Sequence, residues 1–101
     1  MRYLTLSASY SDSCIKDEFG GYVPLEDIPI PNELRKKLKS WNDLYKEIIP
    51  MSINERKSLK VQIDILDMEG IKLAQEIKDN INGEVKLKYY SEGYLKFISV
   101  L

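Results

Sequence analysis

Two segments of helical periodicity meet at Pro50, and this arrangement constrains the fold more than any other feature of the chain. In the first segment, from about Pro31 to Ile49, apolar residues recur at spacings of three and four. They place on one helix face Leu34, Leu38, Trp41, Tyr45 and Ile48. Because the residue before a proline is driven out of helical geometry, Pro50 ends this helix. The sequence therefore predicts two antiparallel helices joined by a short turn at Pro50.

The second helix begins with a capping box. In the run Ser52-Ile53-Asn54-Glu55, the serine caps the third amide of the helix and the glutamate reaches back to the cap. The predicted apolar face comprises Leu59, Ile63, Leu66, Leu73, Ile77 and Ile81. Gly70 lies in that face and costs about 1 kcal/mol relative to alanine, so we expect another backbone to approach closely there, where this helix crosses the sheet or the first helix. Asn82-Gly83 is predicted to end the helix, with Gly83 in the left-handed conformation.

Both ends of the chain show the period of two that is typical of strands. Residues Arg2 to Tyr10 alternate, and the apolar side of that alternation carries Leu4, Leu6 and Ala8. Between Val85 and Val100 the alternation predicts a hairpin with a three-residue loop, Ser91-Glu92-Gly93. This register pairs Tyr89 with Leu95 and Leu87 with Phe97, and it places Gly93 in a left-handed bulge position.

The predicted order of elements is strand, long loop, helix, helix, strand, strand. The loop from Ser11 to Pro31 has no sustained period, although a short extended piece fits around Tyr22–Leu25. Two antiparallel helices would cover one face of a small, mainly antiparallel β-sheet. The sequence therefore predicts an α+β fold, and we expect residues 1–101 to form a single domain.

The composition excludes several classes of function. The chain has no histidine, and Cys14 is its single cysteine, so zinc-site spacings are absent and no internal disulfide can form. It also lacks the glycine-rich and acidic motifs of nucleotide and calcium sites. We therefore predict a protein that binds no metal and no cofactor and is not an enzyme. A single cysteine also fits the reducing cytoplasm.

The charge and hydropathy patterns narrow the choice of partner. With a net charge of −1, the chain lacks a broad nucleic-acid footprint. Its apolar runs fall short of the roughly 18 residues that span a bilayer, and it begins without a signal-peptide core. We therefore expect a cytoplasmic protein that binds neither nucleic acid directly nor a membrane. The sequence does not determine the oligomeric state.

The stretch FGGYVPLEDIPIP, residues 19–31, is the first candidate functional segment. A phosphate-binding loop is disfavoured, because Gly20-Gly21 lie well before the helix and the nearby acids would repel phosphate. A rigid connector between strand and helix is one interpretation. A partner-binding surface is the other, because acids interleaved with aromatic residues suit a basic protein. The candidate binding residues are Asp12, Asp17, Glu18, Phe19, Tyr22, Glu26 and Asp27.

A second candidate surface lies on the long helix, opposite its predicted core face. It consists of Val61, Ile65 and Met68. Either the long loop packs over these residues, or they form an exposed apolar interface of an adaptor or structural subunit. An enzymatic alternative would use Asp64 with Asp67, or Cys14.

A nucleic-acid-binding alternative rests on the C-terminal hairpin. There, Tyr90 and Tyr94 could stack on bases beside Lys86, Lys88 and Lys96. We favour the open face of the hairpin, carrying solvated lysines, as the interpretation of these residues.

Two longer runs resemble a known class of proteins. PxPNELRKKLKSWNDLYKEI and LDMEGIKLAQEIKDNINGEVKLKYY, within about Pro29–Tyr90, are similar to small bacterial immunity proteins of contact-dependent growth inhibition and related polymorphic toxin systems. Helix-packing residues such as Trp41 and Gly70 carry most of the likeness. The resemblance implies a cytosolic protein that binds a co-encoded toxin domain and blocks its active site. In such systems the toxin is often a nuclease, sometimes acting on tRNA.

Overall fold

The computed structural model describes residues 2–81 and 85–100. Within them the strands and helices follow one another as β1 (Arg2–Ser7), β2 (Ile15–Asp17), β3 (Gly21–Tyr22), a 3-10 turn (Leu25–Asp27), α1 (Asn32–Lys46), α2 (Ile53–Ser58), α3 (Lys60–Asn80), β4 (Val85–Ser91) and β5 (Lys96–Ile98). The N-terminal strand, the two main helices and the C-terminal strand pair thus occur in the predicted order.

The strands form one mixed sheet in the order β3-β2-β1-β4-β5. The central pair, β1 and β4, is parallel and sets Leu4 beside Leu87 and Leu6 beside Tyr89, whereas the other neighbours are antiparallel. A parallel pair needs a long crossover, and the helices supply it. The predicted α+β class, with helices on a small, mainly antiparallel sheet, is confirmed.

The core lies between the helices and one face of the sheet. All five residues of the predicted α1 stripe are buried: Leu34, Leu38, Trp41, Tyr45 and Ile48. They meet Leu4 and Leu6 of β1, Tyr89 of β4 and the buried residues of α3. The Trp41 indole also donates a hydrogen bond of 2.8 Å to the Leu66 carbonyl, which fixes α1 against α3.

The second predicted helix is interrupted. Its capping box is confirmed, since Ser52 accepts from the Glu55 amide and Glu55 accepts from the Ser52 amide. At Leu59, however, the backbone leaves helical geometry (φ −107°, ψ 25°) and separates α2 from α3. The Ser58 hydroxyl donates to the Glu55 carbonyl at 2.7 Å, the local side-chain bonding that competes with helix continuation.

Gly70 permits a close approach, but the neighbour is a side chain and not a backbone. A Cβ at position 70 would lie 2.6 Å from Oη and 2.7 Å from Cζ of Tyr89 on β4. The expectation of a helix crossing the sheet is therefore right, and the expected partner atom is wrong. The predicted stop at Asn82-Gly83 lies outside the described residues.

The register predicted for the C-terminal hairpin is wrong. Tyr89 pairs with Ile98 and Tyr90 with Phe97, so four residues form the turn. The left-handed residue is Leu95 (φ 56°), and Gly93 has another role. Its amide donates to the Tyr45 hydroxyl at 2.9 Å, and a Cβ there would press against Ile63. Glycine is thus required for tertiary packing that no local turn rule encodes.

The long loop contains a hairpin that the sequence analysis missed. Strand β2 pairs with β1, and β3 pairs with β2 through Lys16 and Tyr22. Strands of three and two residues are too short to show a period of two. The predicted extended piece at Tyr22–Leu25 coincides with β3 only at its first residue.

Candidate protein-binding surface

The loop after β1 is held by a network of buried polar groups. Asn42 on α1 accepts from the Ser9 amide at 2.9 Å and donates to the carbonyls of Ser9 and Ser11. The Ser9 hydroxyl donates to the Ser13 carbonyl at 2.6 Å. Because every neighbour is anchored, Asp12 is presented to solvent on an ordered backbone.

The β2–β3 turn presents Phe19 to solvent. The Asp17 carboxylate accepts from the Phe19 amide at 2.9 Å, an Asx turn, and Gly21 adopts φ 80°, which favours glycine. The Phe19 ring is 84% exposed and touches Tyr3 edge to face, with centroids 6.1 Å apart. Glu18 is exposed beside it. A large apolar ring so poorly buried contributes little to folding, which is typical of a residue reserved for a partner.

The 3-10 turn presents the remaining two acids. Its flanking apolar residues, Leu25 and Ile28, are buried, which turns Glu26 and Asp27 outward. Arg35 on α1 fixes the turn, because Nε donates to the Leu25 carbonyl at 2.9 Å and Nη2 to the Ile28 carbonyl at 2.8 Å. Arg35 is therefore not part of a solvated basic helix face.

Basic neighbours partly compensate the acids. Asp17 lies 4.0 Å from Arg2, and Glu26 lies 4.0 Å from Lys39. Within residues 2–81 and 85–100, no ion pair involves Asp12, Glu18 or Asp27. These three carboxylates are therefore available to pair with basic side chains of a partner. The two ion pairs at 4.0 Å join exposed groups, so they are weak and can be exchanged for contacts with a partner.

Tyr22 joins two groups of candidates. On one side it lines a groove of about 610 Å³ between the loop and α1, together with Asp12 and Glu26. On the other it lies on the open face of the sheet, where it and Glu18 line a second depression. The predicted residues are therefore divided between the two ends of β2, because the β1–β2 loop carries Asp12 and the β2–β3 turn carries Glu18 and Phe19. They form two groups joined through Tyr22, not one concave site.

The open sheet face also carries Lys16 and Phe97, which the sequence analysis did not place there. The Lys16 ammonium lies 5.9 Å from the Tyr22 ring centre, and the Lys88 ammonium lies 5.7 Å from that of Phe97. The Tyr90 and Phe97 rings pack edge to face, 5.0 Å apart. Alternation in β4 correctly placed Lys88 and Tyr90 on this face. The placement of Lys16 depends on β2 and that of Phe97 on the hairpin register, and neither was predicted correctly from the sequence.

The long loop does not cover the apolar helix patch. Val61, Ile65 and Met68 are 68%, 60% and 62% exposed. Ile65 and Met68 line a groove between α1 and α3 with Leu44, which is itself 65% exposed. The interpretation that the long loop packs over this patch is therefore wrong, and its use as an interface stays a prediction.

The residues considered for catalysis have structural explanations. Burial raises the pKa of the Cys14 thiol to about 12, which makes it a poor nucleophile. Asp64 is bonded by the Tyr94 hydroxyl and the Lys60 ammonium, and both lower its pKa.

Asp67 is buried, although a carboxylate on a helix flank is usually solvated. Its oxygens accept hydrogen bonds from the hydroxyls of Tyr45 at 2.8 Å, Tyr89 at 2.5 Å and Ser91 at 2.7 Å. These bonds occupy three of about four lone-pair sites of the carboxylate, so Asp67 acts as a buried connector between α1, α3 and β4.

Within the described part of the chain, no group of three or more Cys, Asp or Glu residues is arranged to hold a metal ion. Among the same residues, none of the helices combines the length and apolar character needed to cross a bilayer.

No curated protein matches this chain. Residues 2–92 match the family described as Serratia CdiI immunity protein-like. The matched span runs from β1 to the end of β4 and contains all of the candidate binding residues and the apolar helix patch. The suspected resemblance is thereby confirmed: the chain belongs to the Serratia CdiI immunity protein-like family.

Proposed function

We propose that this immunity protein neutralises a nuclease toxin by covering its active site with the acid-aromatic surface, defined as Asp12, Asp17, Glu18, Phe19, Tyr22, Glu26 and Asp27. Membership of the immunity family supplies the role against a toxin of contact-dependent growth inhibition. The observation that carries the choice of surface is the 84% exposed Phe19, whose amide is bonded by Asp17 and which adjoins Glu18, an acid without an ion pair among the described residues.

The chemistry of this surface suits a basic partner. Nuclease active sites bind the phosphates of their substrates, tRNA among them, through cationic side chains. Carboxylates of an inhibitor can occupy the positions of those phosphates. Asp12, Glu18 and Asp27 would speed encounter through complementary charge, while Phe19 and Tyr22 would supply buried contact area. The protein would act in the cytoplasm as a non-catalytic inhibitor, and it would exclude nucleic acid from the toxin without binding it.

Charge reversal tests the acidic part of the surface. We would express the co-encoded toxin domain with wild-type protein, with Glu18→Lys/Asp27→Lys, and with the matched control Glu47→Lys/Asp79→Lys, whose exposed acids lie on other surfaces. Both variants change net charge equally. The proposed surface predicts an association rate at least about 10-fold lower, with loss of protection, for the first variant only. Equal protection by both variants would exclude this surface.

Truncation of Phe19 tests the aromatic part. Because the ring is almost fully exposed, Phe19→Ala should leave the melting temperature unchanged. If Phe19 anchors the complex, affinity should fall about 30-fold, which corresponds to a truncation cost of about 2 kcal/mol. Tyr10→Ala is the control, since Tyr10 is 66% exposed and is not one of the proposed contacts. Wild-type affinity of Phe19→Ala would remove this residue from the interface.

The second candidate function is an adaptor or structural subunit that binds through Val61, Ile65 and Met68. The observation that favours it is their joint exposure beside Leu44. Ile65→Lys would then convert a dimer or hetero-complex into monomers, and Gln62→Lys, at an exposed position of the same helix, would not. A wild-type protein that is monomeric alone and binds toxin equally well with Ile65→Lys would exclude this function.

A further inference from the structure

A groove outside the acid-aromatic surface combines cations with apolar walls. It has a volume of about 430 Å³ and lies between the start of α2, the start of α3 and the β4–β5 turn. Arg56, Lys57 and Lys60 contribute the cations, and Ile53, Tyr94 and Leu95 contribute the apolar walls. We call it the turn groove. Ile53 is 64% exposed and Leu95 is 48% exposed, so neither serves the core.

The cations of the turn groove are incompletely satisfied. Lys60 pairs with Asp64 at 3.1 Å, but Lys57 has no ion pair among the described residues. Arg56 donates from Nη2 to the Ile49 carbonyl at 2.7 Å, and its buried Nε faces the interior, not the groove. The exposed ammonium of Lys57 beside the positive charge of Arg56 matches a carboxylate.

Leu95 supplies an independent observation. It adopts φ 56°, a left-handed conformation that is unfavourable for any residue with a Cβ and that glycine would adopt freely. Its side chain is half exposed at the groove, so burial does not offset that strain. Residues in sparsely populated backbone conformations cluster at functional sites, where the surrounding structure imposes the strain.

We propose that the turn groove is a second contact for the toxin domain and takes a segment of it in which an acidic side chain adjoins an apolar one. The carboxylate would lie between Arg56 and Lys57, and the apolar side chain would pack on Ile53 and Leu95. Two of the three apolar walls, Ile53 and Leu95, are aliphatic and suit a polypeptide better than nucleic acid, whose bases stack on aromatic rings. The third wall is the Tyr94 ring, and the Lys96 ammonium already lies 5.7 Å from its centre.

Leu95→Gly separates a binding role from a folding role. Relief of the left-handed strain should raise the melting temperature, whereas loss of the side chain should weaken binding of the purified co-encoded toxin domain about 10-fold. Lys57→Glu should weaken it by a similar factor and reduce its salt dependence. Lys78→Glu, an exposed lysine elsewhere on α3, is the matched control and should bind like wild type. If Leu95→Gly and Lys57→Glu both bind like wild type, the turn groove is not a toxin contact.

The groove contact rests on the proposed function, but failure of the groove contact can be distinguished from failure of that function. If wild-type protein neither binds nor neutralises the toxin domain, both fail together. If wild-type protein binds the toxin domain and the groove variants bind it equally well, only the groove contact is wrong. Two other occupants would also overturn it. Binding of a fluorescent single-stranded RNA that Lys57→Glu abolishes would assign the groove to nucleic acid, and a wild-type dimer that Lys57→Glu dissociates would assign it to a second copy.

Discussion

Replacement of Gly70 by alanine should destabilise the protein, although alanine is the better helix former by about 1 kcal/mol. The new Cβ would lie 2.7 Å from Cζ of Tyr89, whereas carbon atoms pack at roughly 3.5–4.0 Å. Tyr89 is fully buried and its hydroxyl bonds Asp67, so the ring must give way by about an ångström at the expense of that bond. Overpacking costs about 1–3 kcal/mol and a bond to a charged group about 1.5–3 kcal/mol. After the gain in propensity, we expect a net loss of about 1.5–5 kcal/mol.

Chemical denaturation of the wild type, Gly70→Ala and a glycine control would measure this loss. Gly20→Ala is the control, because its Cβ would meet only Asp17 Cβ, at an ordinary 3.9 Å. It should change the free energy of unfolding by less than about 0.5 kcal/mol. Tyr89→Phe should make Gly70→Ala less costly, since the hydrogen bond is then already absent. A Gly70→Ala protein as stable as wild type would refute the close approach of α3 to β4.

Two further predictions concern buried groups. Asp67→Asn should lower the free energy of unfolding by about 1.5–3 kcal/mol in denaturation curves, because an amide oxygen cannot accept from three hydroxyls. Cys14 should resist thiol reagents in the native protein and react at once in denaturant. Because burial raises its pKa from 9.0 to about 12, the stability it contributes is present below pH 9 and lost towards pH 12, so Cys14→Ala should flatten that decline.

The helices were predictable because their information is local. A proline, a capping box and a stripe of apolar residues at spacings of three and four indicate where each helix begins and which face meets the core. All five residues of the predicted stripe are buried, although α1 ends at Lys46, before Ile48, and Asn42 is buried as well. Gly70 was recognisable as a contact point for the same reason, since an unfavourable glycine in a core face needs a tertiary explanation.

The features that were not predicted depend on contacts between distant residues. Ser91 is buried because it bonds Asp67, 24 residues away, and this extends β4 and shifts the hairpin register. Gly93 is glycine because of Ile63 and Tyr45, not because of its own φ. A carboxylate on a helix flank is usually solvated, so only the meeting of three hydroxyls at Asp67 reveals its burial.

The candidate site was predictable as a composition and not as a geometry. Acids and aromatics in a long irregular segment indicated a binding surface, and their exposure agrees with that expectation. Their division into two groups follows from the short β2–β3 pair, whose formation depends on pairing with β1. The turn groove gave no sequence signal, because Ile53 and Leu95 are brought together only by the fold.

The bracing of the acid-aromatic surface bears on how such a small protein could bind tightly. Ordering a rotamer-rich side chain or a loop on association costs roughly 0.5–1.5 kcal/mol per side chain. Here Asn42, Asp17 and Arg35 have each fixed one part of the surface before any partner arrives. All three hydrogen bonds form within the chain itself. Each joins a side chain to a backbone group of the surface and so fixes that part of the backbone. A segment with only short strands and one 3-10 turn can therefore act as a pre-organised surface, because bonds between side chains and the backbone add to the order that β2, β3 and the turn supply.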